Sequence, residues 1–204
     1  MVARRAGPWQ GSVVNLRTHK LAGLLTALAA LASLVGCSAS TTERLNLPTL
    51  QTVPEVDLGR YVGTWYEIAN FPQSFQAGCT GTTATYTLGE DGDIAVVNRC
   101  RKGSLDGEED VAEGHARVVD STSNAKLEVS FFRPFWGDYW IIDLAPDYSH
   151  AVVGHPGRDY LWILSRTPTL PEATYEGILS RLQAQGYETS RLVRTLQPTP
   201  AATP

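Results

Sequence analysis

The feature that most constrains the fold is a series of short segments whose side chains alternate between two faces. Residues 80–88 (TGTTATYTL) and 93–101 (DIAVVNRCR) are two such segments, and the Gly-Glu-Asp-Gly between them is a strong hairpin signal. Five further candidate strands follow, at residues 111–119, 126–132, 138–144, 150–155 and 160–165. Their centres lie roughly 10–17 residues apart, which is typical of a β-sandwich or an up-and-down barrel.

One segment departs from this alternation. Residues 171–185 carry apolar side chains at helical spacing, with Pro171 suited to the first turn and Gly186 to the position just after the end. These apolar residues are Tyr175, Ile178, Leu179 and Leu182. The sequence therefore predicts one helix near the C-terminus, followed by a last strand at residues 191–196 that returns to the sheet.

The N-terminal region has the pattern of an export signal. It is basic up to Lys20, and residues 21–36 form an uncharged apolar run that is shorter than the roughly 20 residues of a membrane-spanning helix. The run ends in Leu-Val-Gly-Cys at residues 34–37, which resembles the bacterial lipobox. This resemblance implies cleavage before Cys37 and attachment of lipid there, which gives stable anchoring. An ordinary signal peptide and a short anchor helix are the alternatives.

The residue after Cys37 bears on which membrane would hold the anchor. It is Ser38 rather than the Asp that retains such lipoproteins in the inner membrane. We therefore expect a lipid-anchored protein of the cell envelope, in the outer membrane if the cell has two membranes. Residues 37–51 are expected to form the lipidated cysteine and a polar tether, and residues 198–204 (PTPAATP) a disordered tail.

The charge balance argues against nucleic acid as a partner. Residues 1–36 contain four of the 17 basic residues and no acidic residue, so the remainder carries 13 basic and 21 acidic residues. Binding to phosphates requires clustered lysine and arginine, which this acidic remainder lacks. The 43% of apolar residues is sufficient for a sizeable core.

Three blocks of sequence point to a known family. Residues 56–71 (VDLGRYVGTWYEIANF) contain Gly-Thr-Trp, preceded by an aromatic residue two positions earlier. Residues 143–148 (DLAPDY) stand at a turn between two predicted strands, and residues 160–168 (YLWILSRTP) contain Arg166 just before the predicted helix. In this order the blocks resemble those of the lipocalin family, most closely bacterial lipocalins and their apolipoprotein D-like relatives. The resemblance covers about residues 52–197, the expected lipocalin domain.

The resemblance implies an all-β fold, an eight-stranded antiparallel up-and-down barrel with one C-terminal α-helix packed outside. Such a barrel is closed at one end, open at the other, and holds one small ligand. Gly63, Trp65 and Arg166 are expected to form the barrel floor, with the Arg166 guanidinium lying across the Trp65 indole.

Alternation along each strand, starting from an inward Trp65, predicts which residues line the interior. The predicted ligand-binding residues are Glu67, Ala69, Ala84, Tyr86, Ile94, Val96, Asn98, Phe132, Tyr139, Ile141 and Trp162. A register error of one residue reverses every face in a strand, and the large aromatic residues are also suited to packing under the outer helix. An apolar interior with a few polar groups, such as Tyr86 and Asn98, suits a long acyl chain with a polar head.

The cysteines separate into two groups. Three is an odd number, and lipidation of Cys37 leaves Cys79 and Cys100, which flank the predicted hairpin. If Leu88 faces Gly92, the two cysteines lie within one residue of facing each other. Since an exported protein meets oxidising conditions, we predict a Cys79–Cys100 disulfide, with two free buried thiols as the alternative.

The expected function is binding rather than catalysis. The resemblance implies a membrane-tethered lipocalin that stores or transports a fatty acid, a lysophospholipid or a similar amphiphile. The alternatives are a lipocalin-fold enzyme or a haem- or isoprenoid-handling protein, with Glu67 and His150 as candidate groups, and an envelope stress protein whose barrel stays empty. No cofactor or metal site is expected, because the histidines lack ligand spacing. A homodimer is left open, and an exposed Trp136 would mark a dimer, ligand or membrane contact.

Overall fold

The computed structural model describes residues 47–90 and 92–199, so the predicted signal segment, Cys37 and most of the tether lie outside the described residues. The described strands are β1 Gly63–Asn70, β2 Cys79–Leu88, β3 Ile94–Lys102, β4 Glu109–Val118, β5 Lys126–Phe132, β6 Phe135–Leu144, β7 His150–Gly154, β8 Leu161–Ser165 and β9 Val193–Arg194. The helices are α1 Leu58–Tyr61 and α2 Glu172–Ala184, and two 3-10 turns lie at Ser74–Gln76 and Thr189–Arg191. Neither α1 nor α2 is long and apolar enough to cross a bilayer.

The strands close into a barrel. Each strand from β1 to β8 pairs antiparallel with the next, and β1 also pairs with β8, so these eight strands form a ring. This arrangement confirms the predicted eight-stranded antiparallel barrel and its C-terminal helix. The predicted strands are all present, although β4 begins earlier, at Glu109, and β6 begins earlier, at Phe135.

The connections between strands divide between two ends of the barrel. We call the end with α1 and the β2–β3, β4–β5 and β6–β7 connections the closed end. The open end carries the β1–β2, β3–β4, β5–β6 and β7–β8 connections. Helix α2 runs from the closed end to the open end, because the Arg158 guanidinium of the β7–β8 connection donates to the carbonyl of Gln185, just after α2.

Apolar side chains form two clusters, one on each face of the barrel wall. The inner cluster fills the closed half of the interior and includes Trp65, Val96 and Ile141. The outer cluster joins the wall to α2 and includes Ile163 and Ile178. Both clusters are built from residues between 50 and 192, so the described domain contains its own core and is suited to study as a fragment.

The chain enters the domain at the open end. The carbonyl of Pro48 accepts a hydrogen bond from Nη2 of Arg158, which lies in the β7–β8 connection. From there the segment runs along the wall, where the Val53 amide donates to the Ile141 carbonyl at 3.0 Å. It reaches the closed end at Val56, whose amide donates to the Ser123 carbonyl at 2.8 Å.

The C-terminal segment fills a gap between β1 and β2 near the open end. Beyond Tyr66, where the β1–β2 pairing ends, the amide of Thr195 donates to the Ile68 carbonyl at 3.0 Å. The amide of Gly81 in turn donates to the Leu196 carbonyl at 2.7 Å. The predicted strand at 191–196 is reduced to the two residues of β9, because Arg191 belongs to a 3-10 turn and the residues after Arg194 make only single backbone hydrogen bonds to β1 and β2.

The disulfide between Cys79 and Cys100 is confirmed, with a Cα–Cα distance of 5.4 Å. The register used to predict it is wrong, because Leu88 faces Ile94 rather than Gly92. The β2–β3 turn is longer than expected and is closed by a bond from the Gly89 amide to the Asp93 carbonyl. Cys79 consequently faces Lys102, and the bridge joins two residues on adjacent strands that are not direct partners.

The three predicted floor residues meet at the closed end. Trp65 is fully buried, and the Arg166 guanidinium carbon lies 3.6 Å from the centroid of its ring. The same guanidinium donates to the carbonyls of four residues just before or within β1, at 2.7–3.0 Å, namely Arg60, Tyr61, Val62 and Thr64. Gly63 has a φ of +97°, and a Cβ there would lie 3.4 Å from Arg166 Nη1. Only glycine adopts this backbone without strain.

We predict that Arg166→Lys destabilises the barrel by about 3 kcal/mol, because a lysine cannot stack flat on the indole or bond several carbonyls at once. Chemical denaturation followed by fluorescence measures this loss. Arg117→Lys is the control, because Arg117 also lies over an indole, that of Trp136, but pairs with Glu128 at an exposed site. Its loss should stay under about 1 kcal/mol. Equal losses in the two variants would contradict the role of Arg166.

Candidate ligand-binding site

The inner wall changes from buried to accessible toward the open end. In the closed half, Tyr86, Val96 and Ile141 are at most 7% exposed. Nearer the open end, Ala84, Asn98, Val129 and Trp162 on the same inner face are only partly buried, whereas Cys100 in the disulfide is 7% exposed. Since these side chains face the inside of a closed ring, their exposure reports accessible space within the open half of the barrel.

Three tyrosine hydroxyls meet at the base of this space. The Tyr139 hydroxyl lies 2.8 Å from that of Tyr61 and 2.9 Å from that of Tyr86. Burial raises the pKa of all three hydroxyls, that of Tyr86 to about 12, so they are neutral at physiological pH. Three hydroxyls carry three protons and make two bonds among themselves, which leaves one proton free to donate to a further group.

A buried carboxylate lies near the opening. Glu67 is 3% exposed and accepts from Asn70 Nδ2 at 2.6 Å, Gln76 Nε2 at 2.5 Å and Thr195 Oγ1 at 2.5 Å. The Oε1 atom of Gln76 accepts in turn from the Trp162 indole at 3.4 Å. Gln76 therefore ties the β1–β2 connection to two inner residues, and neutral donors already occupy the Glu67 carboxylate.

Some buried oxygens have no hydrogen-bond partner among the residues that the structure describes. They include Thr82 Oγ1, Asn98 Oδ1 and Ser130 Oγ. Asn98 faces Ala84 across β2 and β3, and lies two residues from the inward Val96, so alternation places its side chain inside the barrel. Buried polar groups are normally bonded, so an unpartnered acceptor on an inner wall is suited to a bound molecule or to water.

Most of the predicted lining residues lie on the inner wall. Those in the inner cluster or packed against it are Ala84, Tyr86, Ile94, Val96, Tyr139, Ile141 and Trp162. Asn98 faces inward among them, and Glu67 lies near the opening. Their contact with a ligand stays a prediction.

One of the lining predictions is wrong about the face, and a second residue, Phe132, lies exposed at the tip of the β5–β6 hairpin. Ala69 belongs to the outer cluster, because a register shift between Glu67 and Ala69 in the β1–β8 pairing interrupts the alternation. Phe132 is 74% exposed and stacks on Phe135, with ring centroids 6.3 Å apart. A second shift, between Val129 and Phe132, precedes it.

Tyr61 was not among the predicted lining residues. It lies on α1, before the first strand, so the alternation along a strand does not predict which way its side chain points. The available signal was the aromatic residue two positions before Gly63, which was used only as part of the family pattern.

The candidate groups for other chemistry do not come together. His150 faces Ser165 on the outer side of the wall, whereas its neighbour Ala151 belongs to the inner cluster, so His150 and Glu67 point to opposite faces. The two disulfide sulfurs lie near the Asp110 carboxylate, but in the bridged form neither sulfur is a thiolate ligand.

Trp136 is not the exposed residue that the sequence suggested. Its ring is partly buried and lies under the Arg117 guanidinium, whose carbon is 4.2 Å from the ring centroid. The neighbouring Phe135 is the exposed one, at 70%.

We predict that Tyr139→Phe destabilises the domain by about 2 kcal/mol, because it leaves the buried hydroxyls of Tyr61 and Tyr86 without their partner. The matched control is Tyr86→Phe, which leaves the Tyr61–Tyr139 bond intact and should cost about half as much. Denaturant titration measures both. The hydroxyl network would be contradicted if the Tyr86 variant lost as much stability as the Tyr139 variant.

Comparison with known proteins places this arrangement in a family. Residues 56–197 match the family described as "Lipocalin-like domain". The chain is 39% identical to the outer membrane lipoprotein Blc of Escherichia coli K12 over 179 residues, which cover 88% of this chain and 98% of that one. It is 41% identical to temperature-induced lipocalin-1 of Arabidopsis thaliana, over 72% of this chain and 83% of that one. It is 35% identical to apolipoprotein D of Macaca fascicularis, over 85% and 95%.

Solved structures show the same fold at low sequence identity. Insecticyanin from the tobacco hornworm Manduca sexta aligns with a TM-score of 0.59 at 22% identity, over 76% of this chain and 88% of that one. Lobster apocrustacyanin A1 aligns with a TM-score of 0.55 at 19% identity, over 69% and 79%. With a family match over residues 56–197 and relatives this similar over most of its length, the chain belongs to the lipocalin family.

Proposed function

We propose that the open half of the barrel binds the acyl chain of a fatty acid, a lysophospholipid or a similar amphiphile. The observation that carries this proposal is the change along the inner wall from buried side chains to partly exposed ones. From Tyr86 to the open end of β2 at Cys79, a strand tilted as in such barrels spans a height of about 18 Å. This depth accommodates most of an extended long acyl chain.

The chemistry of the wall supports the same ligand class. The wall is apolar at Ala84, Val129 and Trp162, and each buried methylene of a ligand contributes about 0.8 kcal/mol. Polar groups are few: the free proton of the tyrosine network at the base, and Asn98 Oδ1 on the wall. Few polar groups in an apolar pocket fix the orientation of an amphiphile without requiring a charge.

We infer that the protein is held on the cell envelope by lipid on Cys37, in the outer membrane where the cell has one. The lipobox-like residues support this, as does the similarity to relatives named outer membrane lipoprotein. Storage or transport, rather than catalysis, fits the arrangement of the two titratable groups that the sequence singled out. The Glu67 carboxylate is occupied by three donors, and His150 lies on the outer face.

Blocking the interior tests the binding proposal. Ala84→Trp places an indole in the open half and should weaken the binding of palmitate or a lysophospholipid at least tenfold, as measured by calorimetric titration. Ala95→Trp is the matched control, because Ala95 is exposed on the outer face of β3 and the same enlargement there leaves the interior unchanged. Unchanged affinity in the Ala84 variant, or equal losses in both variants, would overturn an interior site.

Radiolabelled palmitate tests the anchor. The wild-type protein should incorporate the label in cells, and Cys37→Ala should abolish incorporation because no other thiol follows the lipobox-like residues directly. The control is the double variant Cys79→Ser/Cys100→Ser, which should keep the label. Labelling that persists without Cys37 would show that the anchor is elsewhere.

A further inference from the structure

We propose that the open end of the barrel docks on a lipid bilayer through exposed aromatic side chains, so that the opening faces the membrane. This inference rests on the proposed anchoring through Cys37, but the docking surface itself is built from described residues. The partner that we assign to this surface is the lipid bilayer into which the lipid on Cys37 inserts.

The β5–β6 hairpin presents the main apolar surface. Phe132 is 74% exposed and Phe135 is 70% exposed, and their rings stack with an interplanar angle of 10°. Phe131, on the same strand as Phe132, is 42% exposed. Phe132 and Phe135 together form an apolar patch at the hairpin tip of the kind that marks an interaction surface, because each ring leaves a large apolar area in water.

The opposite side of the opening has an apolar residue as well. Phe75, in the β1–β2 connection, is 67% exposed. The order of strands around the ring places the β1–β2 connection across the opening from the β5–β6 connection. Apolar side chains therefore project from both sides of the same end, which suits contact with one flat surface.

The place where the tether joins the domain agrees with this orientation. A Cβ on Gly186, just after α2, would lie 2.9 Å from Leu47, and Pro48 is bonded to Arg158 of the β7–β8 connection. The tether therefore meets the domain at the open end. The ten residues from Cys37 to Leu47 reach at most about 35 Å when extended, so a lipid on Cys37 keeps this end close to the bilayer.

Charge contributes little to this docking. Arg133 stands between the exposed rings at the hairpin tip. On the β3–β4 side of the open end, the carboxylates of Glu109 and Asp110 pair with Arg99, Arg101 and Lys102, so this side offers no free cluster of basic residues to anionic headgroups. Attachment therefore depends on insertion of the rings into the interfacial region, and it should need neither anionic lipid nor low salt.

Sedimentation with vesicles of phosphatidylethanolamine and phosphatidylcholine tests the proposal with the fragment that spans residues 38–204. The wild-type fragment should bind, and Phe132→Ser/Phe135→Ser should reduce its partition coefficient at least tenfold. The matched control is Leu88→Ser/Val119→Ser, which removes two exposed apolar side chains at the closed end, 42% and 50% exposed, and should leave binding unchanged. Thermal unfolding followed by circular dichroism checks that both variants fold.

Several outcomes would overturn the docking surface. They are failure of the wild-type fragment to bind vesicles, equal binding by the Phe132/Phe135 variant, and equal losses in the two double variants. If sedimentation velocity shows that the Phe132/Phe135 change converts a dimer to a monomer while vesicle binding is unchanged, the rings form a contact between two copies instead.

Palmitate titration without vesicles separates this proposal from the proposed function. The Phe132/Phe135 variant should bind palmitate within about twofold of wild type, because both rings are largely exposed at the hairpin tip and make few contacts with the inner wall. If the wild-type fragment binds vesicles but does not bind palmitate, the ligand proposal is refuted and the docking surface is not affected. Vesicle binding that fails while palmitate binding persists would refute docking alone.

Discussion

The stacking of Arg166 on Trp65 fixes the closed end of the barrel, and the other features depend on it. The guanidinium bonds to carbonyls on both sides of Gly63, and so holds the chain in the turn that leads from α1 into β1. With its direction set there, β1 pairs with β2 on one side and β8 on the other, which closes the ring. The same turn brings Tyr61 against Trp65, with ring centroids 5.2 Å apart, and its hydroxyl reaches Tyr139.

The two ends of the barrel consequently differ in how far their side chains are satisfied. At the closed end, the Trp65 indole donates a hydrogen bond to the Tyr61 carbonyl, and apolar side chains pack the interior. Toward the open end, inner residues are accessible, and Asn98 retains an acceptor without a partner among the described residues. The exposed phenylalanines and the junction with the tether lie at this same end. Under the proposals made above, a lipid from the bilayer reaches the interior by the shortest route, through an opening that faces its source.

The sequence predicts this architecture well because burial on one face of each strand imposes an alternation that is visible without coordinates. The errors occur where the backbone departs from that alternation. Ala69 follows a shift in strand pairing, and the Leu88 register depends on the length of one turn. Tyr61 precedes the strands altogether, and Trp136 is covered by Arg117 from another strand. No periodic pattern reports such local shifts or contacts between distant residues. The sequence therefore predicts the strands and the barrel, but not every residue that lines the barrel interior.

The central claim is that an acyl chain lies inside the open half of the barrel. Nuclear Overhauser effects between carbon-13-labelled palmitate and methyl groups of the protein test this most directly. The account predicts contacts from the palmitate methylenes to Ala84 and Val129, which lie on the inner wall. Contacts to Ala69 and Ile178, which lie between the wall and α2, in place of these would contradict it and would place the ligand outside the barrel.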